Sequence, residues 1–271
     1  MNHYLNDPRI RRLLNLCQGA LTAPPGRGRI ALALLMGACC HIVFAAAILS
    51  MIYAMYFGLS RGLGNAPYPW AFLANFLLII QFPLGHSLLL RKSGSRFLAR
   101  LIPGRHGGVL STSTYAIVAS TQLLALFWLW TPSGILWWRA DGAVLLMVSG
   151  LYLLAFLFLG KAIFDAGIEL QSGALGWLSL LADRAPRFPP MPTVGLFRRM
   201  RQPIYLAFAC TLWTVPTWTP DQLALAVFWT AYCVFAPRLK ERRYEQRYGE
   251  KWNRYRARVP YMRPGASNDL P

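Results

Sequence analysis

Between residues 195 and 205 the chain reads GLFRRMRQPIY, and an apolar stretch opens at Ile204. A purely topological anchor needs only the charges of Arg198, Arg199 and Arg201. Gln202, Pro203 and Tyr205 stand where the charge stops, and their types suit a binding mouth. Proline is well placed in the first turn of a helix, where its missing N–H removes no hydrogen bond. The free N–H groups of that turn, with Arg199 and Arg201, could hold a carboxylate or phosphate. Further on, Arg238, Glu241 and Arg242 follow the end of the next apolar stretch. Glu241 offers a negative charge to an ammonium, sulfonium or hydroxyl. Brought together, the two segments would suit a zwitterionic ligand with a large apolar partner.

The elements that must position them are membrane spans. The chain has 271 residues and is 55% hydrophobic, with the apolar residues gathered in long blocks, which marks an integral membrane protein. Spans are expected over residues 30–59, 70–90, 115–138 and 142–164. The last apolar region differs, because residues 204–218 and 222–236 form two short arms around Pro216 and Pro220. Each arm covers about 22 Å, short of a hydrocarbon core of about 30 Å. This reads as a helical hairpin, and a hairpin brings Arg201, Gln202 and Tyr205 beside Arg238, Glu241 and Arg242. The expected architecture is all-α: a basic segment 1–29, a transmembrane domain 30–237 with about six helices, and a C-terminal segment 238–271 that completes the site.

Net charge is +18, and 25 of the 28 lysines and arginines fall on one side of a six-crossing topology. Basic segments beside spans face anionic lipid, so no nucleic-acid partner is expected. By the positive-inside rule both termini are expected in the cytoplasm. Arg61 and Arg139 then lie outside.

Other polar residues in apolar surroundings are candidates of lower rank. His41 lies within the first span, where satisfaction by a neighbouring helix is the simplest reading. His86, after Gln81 at the end of the second span, could orient a substrate, shuttle a proton or cap a helix. Lys161, Asp165 and Glu169 recur at intervals of four, so an ion-pair ladder on one helix face is expected. The five cysteines include no CxxC pair, and no metal is expected. Tyr244, Tyr248, Trp252, Tyr255 and Val259 form one stripe of an amphipathic helix expected to lie on the membrane.

These two segments resemble the isoprenylcysteine carboxyl methyltransferase superfamily of integral-membrane methyltransferases. Its RHPxY motif corresponds to Arg201, Gln202, Pro203, Ile204 and Tyr205. Its EE and GxxYxxYxxxVP motifs correspond to Lys240-Glu241 and to Gly249, Trp252, Tyr255, Val259 and Pro260. The resemblance is closest to the bacterial methanethiol S-methyltransferase and nitric-oxide-reductase-accessory branch, through residues 81–87, 128–132 and Phe164-Asp165. It covers approximately residues 70–264. The resemblance implies S-adenosylmethionine as cofactor, a lipid-side entrance and a bacterial cytoplasmic membrane. It implies cofactor binding by Gly195, Leu196, Arg201, Gln202, Pro203, Tyr205, Glu241 and Tyr255, and catalytic roles for Glu241, Arg201 and Arg238. His86 and Asp165 become candidates for the substrate, a small thiol or lipid-like acceptor. Two positions depart from the pattern: Gln202 stands for histidine and Lys240 for the first glutamate. Glutamine can hydrogen-bond a ligand but carries no titrating proton near neutral pH. A non-catalytic accessory protein that keeps the fold, or a nicotinamide-dependent lipid reductase, are the alternatives.

Overall fold

The protein is an all-α integral membrane protein, seen here in a computed structural model that describes residues 7–102 and 104–263. Its helices are α1 (Pro8–Leu21), α2 (Arg27–Tyr56), α3 (Trp70–Leu89), α4 (Lys92–Leu101), α5 (Gly107–Leu129), α6 (Gly142–Gln171), α7 (Ala174–Leu181), α8 (Pro203–Trp213), α9 (Pro220–Tyr248) and α10 (Glu250–Arg258). Among the described residues, α2, α3, α5, α6 and α9 are long and apolar enough to cross a membrane. The remaining apolar helix, α8, has 11 residues and covers about 16 Å.

The hairpin is therefore lopsided. Its first arm is shorter than expected, and its second runs unbroken through Pro237 to Tyr248. At Pro237 a proline and a run of charges end the apolar pattern but not the helix. Two-residue strands β1 (Trp138–Arg139) and β2 (Thr217–Trp218) pair antiparallel at the bend, with Arg139 opposite Thr217. α5 begins earlier than its hydropathy suggested. The hydroxyls of its polar first turns find acceptors: Ser113 donates to Gly173 O at 2.7 Å and Thr114 to Leu110 O at 3.1 Å. Such bonds make polar residues tolerable in an apolar helix.

The chain forms two compact units. The first gathers the described residues of Met1–Met51, Asn75–Leu129 and Gly167–Pro189. Its core includes Ala33, Met36, Leu110 and Leu180, with Trp177 packed alongside. Arg29, itself buried, donates to the carbonyls of Leu180 and Leu181 at the end of α7. His41 has the partner expected of it, since Trp177 Nε1–H donates to its Nε2 at 3.1 Å.

The second unit gathers the described residues of Ile52–Ala74, Trp130–Ala166 and Pro190–Pro271. Here α8 packs on α9 and α10 folds back on α9. The expected single amphipathic tail helix is in fact two. Gly249, at φ 51, breaks it in a conformation that suits glycine, and α10 turns its aromatic face inward. Trp252, Tyr255 and Val259 are buried with Met191, and Tyr244 and Tyr248 pack against them. The stripe thus makes a protein core rather than a lipid contact.

Candidate functional site

The mouth of the hairpin holds a network of charged and polar side chains from three segments. Glu241, on α9, is its centre. Its Oε1 accepts from Arg201 Nε at 2.9 Å and from Gln202 Nε2 at 2.8 Å; Oε2 has a longer contact with Arg201 Nη2, 3.4 Å. The side chains of Arg201 and Glu241 are only 11% and 12% exposed, so their charges act in weakly screened surroundings. Gln202 is 1% exposed. Its amide orientation follows from its two neighbours, because Oε1 accepts from Lys240 Nζ at 3.2 Å. Lysine, glutamine, glutamate and arginine form one chain of donors and acceptors.

The C-terminal signature closes this network with backbone. Arg201 Nη1 donates to Val259 O at 2.7 Å and Arg256 O at 3.1 Å. The N–H of Arg201 donates to Pro260 O, 2.9 Å, and that of Gln202 to Tyr261 O, 3.1 Å. Two N–H groups at the mouth therefore bind the tail. Arg201 also lies near the faces of Trp252 and Tyr261, with its Cζ 5.9 and 5.6 Å from the ring centroids. Val259 and Pro260 thus matter through their carbonyls, and Trp252 as a wall behind Arg201.

Below the network a 3-10 turn, Gly195–Arg198, is held from two sides. Asp165 Oδ2 accepts from Leu196 N–H at 2.8 Å, and Tyr255 donates its hydroxyl to Phe197 O at 2.7 Å. Burial pushes the Tyr255 phenol well above its ordinary pKa, so it stays a donor throughout the neutral range. Gly195 has φ 62, and a Cβ there would come within 2.2 Å of Asp165 Oδ2. The close approach and the backbone conformation both require glycine at that position. The Asp165 side chain is fully buried and also pairs with Lys161. The expected ladder stops there. At Gly167 the backbone leaves helical angles, and Glu169 pairs instead with Arg12, 3.1 Å.

The structure brings together Gly195, Leu196, Arg201, Gln202, Pro203, Tyr205, Glu241 and Tyr255. Arg238 is exposed over the Phe235 ring and shares no hydrogen bond with the network among the described residues. His86 belongs to the first unit, where its Nδ1 shares a 2.6 Å hydrogen bond with the Tyr115 hydroxyl. Asp165 anchors the 3-10 turn. Sequence reasoning missed an aromatic box around Lys240. Its Nζ lies 5.6 Å from the centroid of Phe197, 5.7 Å from Tyr205 and 5.5 Å from Tyr244. The signal was faint: Tyr244 stands one turn beyond Lys240, but the other rings come from distant segments.

Fold and site together define a helical membrane protein whose short hairpin and C-terminal segment share one charged mouth. Its similarities point the same way. A Methanethiol S-methyltransferase from Pseudomonas sp. (strain GM41(2012)) is 28% identical over 243 residues, spanning 85% of this chain and 89% of the relative. Another, from Pseudomonas deceptionensis, is 26% identical over 205 residues, 74% of this chain and 75% of the relative. Nurim from Xenopus laevis is 28% identical over 176 residues, 60% of this chain and 58% of its own length. These similarities agree with the isoprenylcysteine carboxyl methyltransferase-like family that the motifs resemble. No family model matches the chain. No solved structure matches it either.

Proposed function

We propose that this protein is a membrane methyltransferase that uses S-adenosylmethionine and acts on a small thiol. The reading is supported above all by one observation. The motif residues of a chain similar to methanethiol S-methyltransferases over most of its length converge on a single mouth. The residues present also suit the cofactor's chemistry. Three aromatic faces already surround an alkylammonium, and aromatic faces attract a sulfonium for the same reason. Trp252 Nε1 is buried without a partner among the described residues, a free donor beside Arg201.

Bound S-adenosylmethionine supplies an electrophilic methyl group on a sulfonium sulfur. The acceptor thiol loses its proton to water. Its sulfur would then take the methyl, and the electron pair of the broken carbon–sulfur bond would remain on the departing neutral thioether. Gln202 and Glu241 would hold the donor's polar end, Glu241 as a hydrogen-bond acceptor, and Arg201 fixes Glu241. The 3-10 turn, pinned by Asp165 and Tyr255, shapes the floor. Positioning is the chief contribution, and a thiolate needs no dedicated base at the site.

The proposal extends to topology, with both termini cytoplasmic. In the second unit, Arg61, Arg139, Thr217 and Asp221 line one cavity of about 270 Å³. Loops that share a cavity share a membrane face. Reporter fusions at Arg61 and Arg139 should therefore both read the external side; either one reading cytoplasmic contradicts this arrangement.

The alternative, an accessory protein that keeps the fold without catalysis, has one observation in its favour. Gln202, Lys240, Arg201 and Glu241 satisfy one another with no ligand required. Purified protein given radiolabelled S-adenosylmethionine and a panel of thiols, prenylcysteines and amines separates the two. Transfer to thiols is expected, rising over roughly pH 7 to 9 as a thiol of pKa near 8.5 ionises. Transfer to amines or carboxylates alone would overturn the acceptor. No transfer to any of them would favour the accessory role.

A further inference from the structure

Lys240 sits in an unusual place for a lysine beside a candidate cation site. It is one residue before Glu241, yet its ammonium does not bond that carboxylate among the hydrogen bonds described. Instead it reaches the carbonyl oxygen of Gln202 and lies within 5.7 Å of three ring centroids from three segments: Phe197 in the 3-10 turn, Tyr205 on α8 and Tyr244 on α9. Each ring presents a negatively polarised face, and the attraction grows as water is excluded. The backbone that carries the rings is fixed independently of the lysine. Phe197 is buried with its carbonyl tied to Tyr255, and Tyr244 packs against Trp252 at 5.5 Å. The box is a built receptor for a cation. Its occupant is tethered by a flexible four-carbon stem that can swing out.

We infer that this box is the recognition site for the sulfonium of the methyl donor and that Lys240 is its resident competitor. The inference rests on the methyltransferase reading above. A sulfonium and an ammonium carry the same charge, and both are attracted by ring faces. They cannot share a box of this size without strong repulsion, since like charges about 4 Å apart repel in any medium. Donor binding must therefore displace the ammonium. The neutral thioether left after transfer does not have to displace it. Lys240 accordingly lowers affinity for the cationic donor more than for the neutral product, and it is a specificity-determining residue rather than a catalytic one. Gln202 belongs to the same device, because its carbonyl oxygen holds the lysine while its amide N–H holds Glu241. The two departures from the family's pattern are thus one linked feature.

Titration calorimetry with S-adenosylmethionine and S-adenosylhomocysteine tests this on the full chain in detergent. The wild type is compared with Lys240→Met, Lys240→Gln and Lys240→Arg. Loss of the charge should tighten S-adenosylmethionine by about tenfold in the Met and Gln variants, and S-adenosylhomocysteine by less than about threefold. Lys240→Arg, which keeps the charge, should hold the wild-type ratio of the two affinities. Two neutral variants of different shape guard against one that misfolds. An unchanged ratio in both, or weaker donor binding, overturns the inference while leaving the methyltransferase reading intact. If neither ligand binds any form, that reading fails, and the box is judged with tetramethylammonium instead. Uptake by Lys240→Met but not by wild type then upholds a lysine-guarded cation site; no uptake by either overturns it.

Discussion

The two ends of the short hairpin are both polar, but they use polarity differently. At the bend, side chains serve the backbone. Thr219 donates to Gly58 O at 2.5 Å and accepts from Gln222 N–H at 3.0 Å, while Asp221 accepts from the N–H and hydroxyl of Ser133 at 2.9 and 2.6 Å. Gln222, fully buried, donates to Leu212 O at 2.9 Å. Each of these bonds ends a helix or fixes a loop. At the mouth, charged side chains bond to one another, and the backbone is recruited to hold them. Arg201 alone engages Glu241 and the carbonyls of Arg256 and Val259. The bend groups direct these bonds to backbone and loop partners. The mouth groups instead gather opposite charges in one network, and that asymmetry is why the proposed site is placed at that end.

The comparison breaks most sharply at Arg201. Arg201→Ala leaves Glu241 without its cation and releases two tail carbonyls. Removing one member of a largely buried, hydrogen-bonded charge pair costs about 2–5 kcal/mol. Methyl transfer should fall below detection, and limited proteolysis should cut the C-terminal segment faster than in wild type. A variant with normal transfer would show that the mouth is bend-like after all.

Asp221→Ala probes the other end with a smaller effect. The two Ser133 groups lose a common acceptor, at a cost of about 1–3 kcal/mol. Thermal stability in detergent should drop, while affinity for S-adenosylmethionine stays within a factor of two. A tenfold loss of affinity would deny the division between the ends.

Gln202→His sharpens the comparison with the smallest change. A neutral imidazole can donate to Glu241 and accept from Lys240, as the amide does now. Transfer should continue at a comparable rate, whereas Gln202→Leu, which can do neither, should lose at least tenfold. Equal rates in all three would remove Gln202 from the site.

Much of the mouth was legible in the sequence because its residues follow one another closely within each segment. Pro203 marks a helix start, and a hairpin must return near its origin, so Arg201 and Gln202 had to meet Glu241. The asymmetry of the arms was not legible. Hydropathy registers where apolar residues stop, and at Pro237 they stop well before the helix does. The inward turn of the tail was hidden for a related reason. An aromatic stripe reads the same facing lipid or facing Met191, and only the backbone at Gly249 decides. The box around Lys240 lay furthest from reach. Its rings come from positions 197, 205 and 244, and no local pattern links them. Asp165 was noticed for its charge and its spacing. Its actual role depends on Gly195, thirty residues away, leaving room for a carboxylate.

The most direct test of the central claim is titration of S-adenosylmethionine into the wild type and into Glu241→Gln, both in the same detergent. Glu241→Gln keeps the shape of the side chain and one acceptor oxygen but removes the negative charge at the centre of the mouth. The account predicts measurable binding to the wild type and a loss of at least tenfold in the variant, about 1.4 kcal/mol. Equal affinities in the two proteins, with thermal stability unchanged, would contradict it.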